Sequence, residues 1–237
     1  MINIHLTCRR KLFVLGWVLL STHFAFCLEP VSYNPTLPEG AVCNVEIDKL
    51  RPTQFAAGKL EVDRRAEKMA RMKPKKLQEY LEEHRATIVI GPQGVPYIID
   101  GHHLCSALLK LKLRDTVDAK VAANLGHLAP AEFWATMKEK GWTYLYDKNG
   151  RGPLEPDQLP KTIANLADDP YRSLAWVVRE REGWEKSPAS FAEFQWAAFF
   201  RSRIKIENRP GGFEKAVEEA LRISHSPEAK DLPGYVP

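Results

Sequence analysis

Tyr97-Ile98-Ile99-Asp100-Gly101-His102-His103-Leu104-Cys105-Ser106-Ala107-Leu108-Leu109 joins an apolar strand to an apolar helix through one glycine and two adjacent histidines. A helix N-terminus carries free N–H groups and the positive end of the macrodipole, so an anion, above all a phosphate, is well placed there. The stretch points to a site more clearly than to a reaction.

Working outward, Thr87-Ile88-Val89-Ile90 and Tyr97-Ile98-Ile99 read as short apolar strands. Gly91-Pro92-Gln93-Gly94 between them supplies the residues of a hairpin turn. Upstream, Val42 to Leu50 alternates like a strand, and Arg51-Pro52-Thr53-Gln54 is expected to turn the chain. Helical periodicity covers Gly58 to Met72 and Pro74 to Arg85, and Val117 to Ala122 reads as a further strand. From Pro130 the pattern is helical: Ala131 to Lys140, Gln158 to Leu166, Tyr171 to Glu182, Ser190 to Ile204 and Phe213 to Ile223, punctuated by Asp168-Asp169-Pro170 and Pro210-Gly211-Gly212. The fold class is therefore α+β, with a mixed domain over 42–125 and a mostly helical region over 126–237.

The first 27 residues read as an export signal. Arg9, Arg10 and Lys11 precede an apolar core, Leu12 to Leu20, that is too short to span a bilayer, and Ala25-Phe26-Cys27 puts small residues where a signal peptidase reads. Cleavage before Leu28 would leave an extended, proline-containing leader over 28–41, no stable membrane span, and a secreted or periplasmic protein. An uncleaved anchor is the alternative. Removing three basic residues changes the formal charge from +4 (34 minus 30) to +1 (31 minus 30), short of the strong positive excess usual in a nucleic-acid binder. Cys43 and Cys105 remain. One disulfide is conceivable in an exported chain, but Cys105 sits in an apolar helical stretch where a buried free thiol is ordinary, and the free thiol is the expectation.

The order strand, turn, two helices, hairpin, Asp100-Gly101-His102-His103, helix, strand resembles the ParB/sulfiredoxin superfamily over Val45 to Ala123. Leu50-Arg51-Pro52-Thr53-Gln54, Phe133-Trp134, Gly141-Trp142, Tyr146-Asp147, Asp168 to Ala175 and Phe194-Gln195-Trp196-Ala197 extend the resemblance over nearly the whole mature chain. They are similar to the branch named putative ParB-like nucleases. The resemblance implies a ParB/sulfiredoxin-like core, a phosphate bound at the strand-to-helix junction, and a nuclease or phosphodiesterase activity. Sulfiredoxins carry a cysteine where this chain has His102, and partition ParB proteins carry arginines after the glycine. Neither of those activities is expected here. An archaeal free-serine kinase of the superfamily has a similar Gly-His-His junction, but an exported protein would meet few nucleoside di- or triphosphates.

Within the junction, His103 is the expected phosphate contact or general acid, His102 its supporting partner, and Asp100 a group that orients an imidazole or holds a cation. Gly101, His102, His103, Arg51 and Gln54 are the expected phosphate-binding residues, Arg51 and Gln54 by the resemblance. Adjacent helical residues point about 100° apart, so the two histidines should not face one small ligand together. The bland alternative has Asp100 capping the helix and the histidines on the surface. No HExxH or paired CxxC is present, which argues against structural zinc. The cofactor is left unknown; magnesium or calcium on Asp100 plus another carboxylate, such as Glu61 or Asp63, is an option that rests on fold analogy. Between Arg51 and Lys76, nine basic residues face three acidic ones: a candidate nucleic-acid surface, or a solvated helical face. A phosphate-containing ligand, nucleic acid among the candidates, is the expected partner. A non-catalytic binding or interaction protein using the same pocket is the competing reading.

Overall fold

A computed structural model describes residues 30–237, so the expectations for the export signal lie outside the described residues. Eight strands and seven α-helices follow in order: β1 (Val31–Ser32), β2 (Val42–Glu46), β3 (Arg51–Pro52), β4 (Ala56–Ala57), α1 (Lys59–Ala70), α2 (Pro74–Glu83), β5 (Ala86–Ile90), β6 (Pro96–Asp100), α3 (His102–Leu111), β7 (Thr116–Asn124), α4 (Pro130–Glu139), β8 (Ala167–Asp168), α5 (Pro170–Glu180), α6 (Ala192–Arg201) and α7 (Gly212–Ser224). This is the α+β class expected from the sequence.

Six strands form one mixed sheet in the order β1-β2-β7-β5-β6-β3, while β4 and β8 pair separately in parallel. The central strands alternate as the period of two requires. Ile88, Ile98, Ala119 and Val121 face one layer with Val62, Ala66 and Met69 of α1 and Leu104, Ala107 and Leu108 of α3. Val89, Tyr97 and Ile99 face the opposite layer with Phe133 and Met137 of α4. A third cluster, centred on Trp184, Trp196, Phe200 and Val217, holds α5, α6 and α7 together.

Several boundaries differ from the sequence reading. The expected first strand stops at Glu46 because Ile47–Lys49 turns as a 3-10 helix. Arg51-Pro52 is a short strand rather than a turn, paired in parallel with Tyr97-Ile98. The leader is not wholly free of the sheet either, since Val31-Ser32 adds to β2 as a parallel edge. No α-helix forms over 158–166. Two 3-10 turns, Pro156–Gln158 and Ile163–Asn165, flank Leu159-Pro160, where proline forbids its predecessor the helical geometry. Cys43 and Cys105 are free, buried thiols, both pushed up by burial, to about 11 and about 12. No helix among the described residues is long and apolar enough to cross a membrane.

Candidate functional site

Gly101 sets the junction. Its φ of +100° places it in the left-handed region, and a Cβ there would meet the Ala86 backbone at 3.0 Å, so only glycine fits. The chain turns at once into α3, whose first helical bond runs from the Cys105 N–H to the Gly101 carbonyl. Asp100 does not cap this helix. Its Oδ1 accepts from the Gly101 N–H at 2.8 Å, and the N-cap position makes no side-chain hydrogen bond. The N–H groups of His102, His103 and Leu104 therefore stand ahead of the helical ladder, as an anion site requires.

Each imidazole meets a backbone N–H of the 53–58 segment. His102 is buried, and its Nε2 accepts from the Thr53 N–H at 3.4 Å. The Nε2 of His103 accepts from the Gly58 N–H at 3.1 Å. The two rings diverge and fasten opposite ends of the 53–58 segment. Burial, reinforced by mutual repulsion, drives His102 down to about 3. Burial drives His103 down to about 4, with Glu61 pulling up and Arg172 and Arg65 adding to the fall. Both shifts favour the neutral ring at pH 7, with the remaining ring proton on Nδ1 where Nε2 accepts, and Asp100 holds the Gly101 amide.

Behind His103 lies a buried charge cluster that joins three helices. Glu61 Oε1 accepts from Arg65 Nε at 3.0 Å and Nη2 at 2.9 Å. Its Oε2 sits 3.1 Å from Arg172 Nη2 and 3.6 Å from His103 Nε2, within ion-pair range but not aligned for a hydrogen bond with either. Burial pushes the Glu61 carboxyl up, but His103, Arg172 and Arg65 outweigh it and hold it at about 2. Since His103 is neutral at pH 7, the two guanidinium groups supply that pull under ordinary conditions. Arg172 is 7 % exposed at its side chain, and its Nε and Nη1 have no hydrogen-bond partner among the described residues. A buried guanidinium with unsatisfied donors costs free energy unless a ligand or water meets them. Arg172 pairs with Glu61 and lines the cleft.

That cleft, about 700 Å³, contains Asp100, Gly101, His102, His103 and Gln54 together with Glu61, Arg65, Arg172, Arg179 and Lys186, and Trp142, Phe191 and Phe194 on an aromatic side. Phe191 is the N-cap of α6 and holds a left-handed φ of 55°, which costs a non-glycine residue about 1–2 kcal/mol. Of the expected phosphate-binding residues, Gly101, His102, His103 and Gln54 are gathered here. Arg51 is not. It donates to the Lys161 carbonyl and lines a separate hollow of about 450 Å³ with Tyr97 and Trp134. Of the carboxylates named for a cation, Glu61 is held by arginines and Asp63 by Lys110 at 2.5 Å. Among the described residues no three His, Cys, Asp or Glu side chains converge as a metal-binding group. Glu61-x-x-x-Arg65 at helical spacing was the sequence signal for part of the charge cluster. Trp142, Phe191 and Lys186 carried no such signal.

An uncapped strand-to-helix junction faces an arginine-lined cleft, on a mixed sheet flanked by helices, in an α+β fold. The chain belongs to the family described as Putative ParB-like nuclease, whose model matches residues 43–202. It is similar to protein Atu1540 from Agrobacterium tumefaciens, known from a crystal structure: 35 % identity, 82 % of this chain and 97 % of that one covered, TM-score 0.74. No curated protein matches the chain.

Proposed function

We propose that the protein binds a phosphate ester in this cleft and hydrolyses it as a phosphodiester. The observation that carries the reading is the pairing of three open N–H groups at the start of α3 with a buried Arg172 that keeps Nε and Nη1 unpartnered in the same cleft. Oriented backbone dipoles and a fixed guanidinium stabilise charge on phosphoryl oxygens without reorganising, and a water-poor site strengthens them. His102 and His103 position the 53–58 segment, and Glu61, with its carboxyl at about 2, is a counterion and too weak a base for a water.

A second reading, binding without turnover, is favoured by one specific observation: the Nε2 atoms of both histidines are occupied by backbone N–H groups, leaving neither as a ready proton acceptor there. The experiment offers single-stranded DNA, RNA and a chromogenic phosphodiester to the purified protein, with and without divalent metal, beside Arg172→Lys. Cleavage that falls at least tenfold in the variant supports hydrolysis at this site. Phosphate binding without cleavage of any substrate moves the assignment to a receptor. Export, expected from residues 1–27, would supply phosphodiesters and phosphomonoesters rather than nucleoside triphosphates. N-terminal sequencing of protein recovered outside the cytoplasm should then begin near Leu28.

A further inference from the structure

We propose that residues 232–236 form a strap that holds the 185–190 segment shut as one wall of the cleft, and that the seating of this strap sets how fast a ligand enters and leaves. The control rests on the phosphate reading above and names the element that regulates it. Residues 186–191 line the cleft without a gap, in the same cavity as Gly101 and Arg172. The stretch 185–190 forms neither helix nor strand and is exposed at every position but Ser187. Its ends are anchored. Trp184 before it is buried, stacks on Trp196 with ring centroids 5.3 Å apart, and donates from Nε1 to the Ala175 carbonyl at 3.1 Å. At the other end the Ser190 carbonyl accepts from Gln195 Nε2 of α6 at 3.1 Å.

Between those anchors, a single backbone hydrogen bond among the described residues ties 185–190 to a distant part of the chain: the Glu185 N–H donates to the Gly234 carbonyl at 2.8 Å. The strap that presents this carbonyl has three ties of its own to the helical cluster. The Pro233 carbonyl accepts from Trp196 Nε1 at 2.8 Å, the Tyr235 hydroxyl donates to the His225 carbonyl at 3.1 Å, and the Val236 carbonyl accepts from His225 Nδ1 at 3.0 Å. Leu232 and Tyr235 also pack on the cluster that holds Trp184 and Trp196. Gly234 is the point of contact: its φ is +76°, and a Cβ there would lie 1.9 Å from the Glu185 carbonyl oxygen, so strap and wall meet backbone to backbone. An exposed stretch with few backbone hydrogen bonds opens at the low end of the stability range, and losing one bond changes how often it does so. Fixed to the helices, the strap keeps its place while the wall swings, and acts as its catch.

The test follows amide hydrogen exchange by mass spectrometry and inorganic phosphate binding by stopped flow, in the full chain and three variants. Gly234→Ala forces the strap off the Glu185 carbonyl, and Tyr235→Phe removes one tie of the strap while keeping the ring. Val217→Ala loosens the same helical cluster without touching the strap. Gly234→Ala should speed exchange across 185–190 about tenfold, the scale of one lost backbone hydrogen bond, and leave α5 and α6 within about twofold. Tyr235→Phe should move the same stretch in the same direction by less, whereas Val217→Ala should speed all three helices together. Phosphate should associate and dissociate faster in Gly234→Ala, with dissociation up about tenfold, as expected where a closed wall limits exchange of the ligand. Exchange across 185–190 that is unchanged in both strap variants, or that rises only in step with α5 and α6, would overturn the proposal. Localised exchange with unchanged phosphate rates would overturn it too, because the wall would then move without gating the cleft. Localised exchange in a protein that binds no phosphate, wild type included, would sustain the hold of the strap on the wall and remove the phosphate reading.

Discussion

His102 and His103 give the protein an acid-sensitive fastening. Unfolded histidines take protons near pH 6.5, whereas the native rings resist until about 3 and about 4 because burial disfavours the charged form. Between those limits the unfolded state binds more protons, so the histidine contribution is complete above pH 6.5 and is lost as the pH falls through 6 towards 4. Glu61 acts in the same direction at lower pH, since its folded value of about 2 lies below the usual 4.5. Urea unfolding at pH 7.5, 6 and 5 should show stability falling by up to about 1.4 kcal/mol per pH unit for each histidine below 6.5, and a flat profile over that range would refute the assignment. Gly101→Ala tests the neighbouring position. A left-handed alanine pressed onto Ala86 should cost about 2 kcal/mol or more, read as a lowered Tm. The junction was legible because its residues are consecutive. The partnership of Glu61 with Arg172 was not, since it joins distant parts of the chain, and the histidines' roles turned on the Thr53 and Gly58 amides, which every sequence contains.

At the scale of elements, α5 carries the Arg172 guanidinium, paired with Glu61 through Nη2 and unpartnered at Nε and Nη1, and the start of α5 determines where that group lies. Asp169 caps it, accepting from the Tyr171 N–H at 2.9 Å and the Arg172 N–H at 3.2 Å, with Pro170 at the first helical position. The second carboxylate oxygen of Asp169 holds Arg201 of α6 at 2.5 Å. Asp169→Ala should cost about 1–2 kcal/mol for the cap alone and more for the stranded Arg201. Because Arg172 lies in the first turn, the same variant should weaken phosphate binding, measured by titration, whereas a loss of stability without any change in affinity would show that the cap does not position Arg172. This helix start was readable, since Asp-Asp-Pro before an apolar pattern has few other uses. The stretch 158–166 was misread because its apolar spacing mimics a helix while Pro160 prevents one. The two-residue β1 was missed because two residues carry no period at all. Gly58 shows how α1 and α5 fix the site between them: its N–H binds His103, and a Cβ would meet Ser173 of α5 at 3.0 Å.

Across the whole molecule, the boundary expected near Gly126 separates patterns but not structures. β4 pairs with β8 in parallel, and the Thr53 carbonyl accepts from both the Tyr144 N–H and the Thr143 hydroxyl at 2.9 Å. Ile163 is buried in the layer beneath α1 and α3, while Phe133 and Met137 seal the sheet's other face. Sequence periodicity reports how each helix is patterned, not which sheet it covers, so this interlocking lay beyond it. Each of those side chains contributes about 1.5–3 kcal/mol when fully buried, and together they rival the 5–15 kcal/mol by which a typical domain is stable. Residues 30–125 made alone should therefore fail to fold cooperatively. They would expose the Val89, Tyr97 and Ile99 face, leave β4 unpaired, and separate Glu61 from Arg172. Thermal unfolding followed by near-ultraviolet circular dichroism should show no sharp transition for this fragment. A sharp transition within a few degrees of the full chain would instead establish the sheet as an autonomous unit, with the later helices supplying one wall of the cleft and Arg172 but none of the fold.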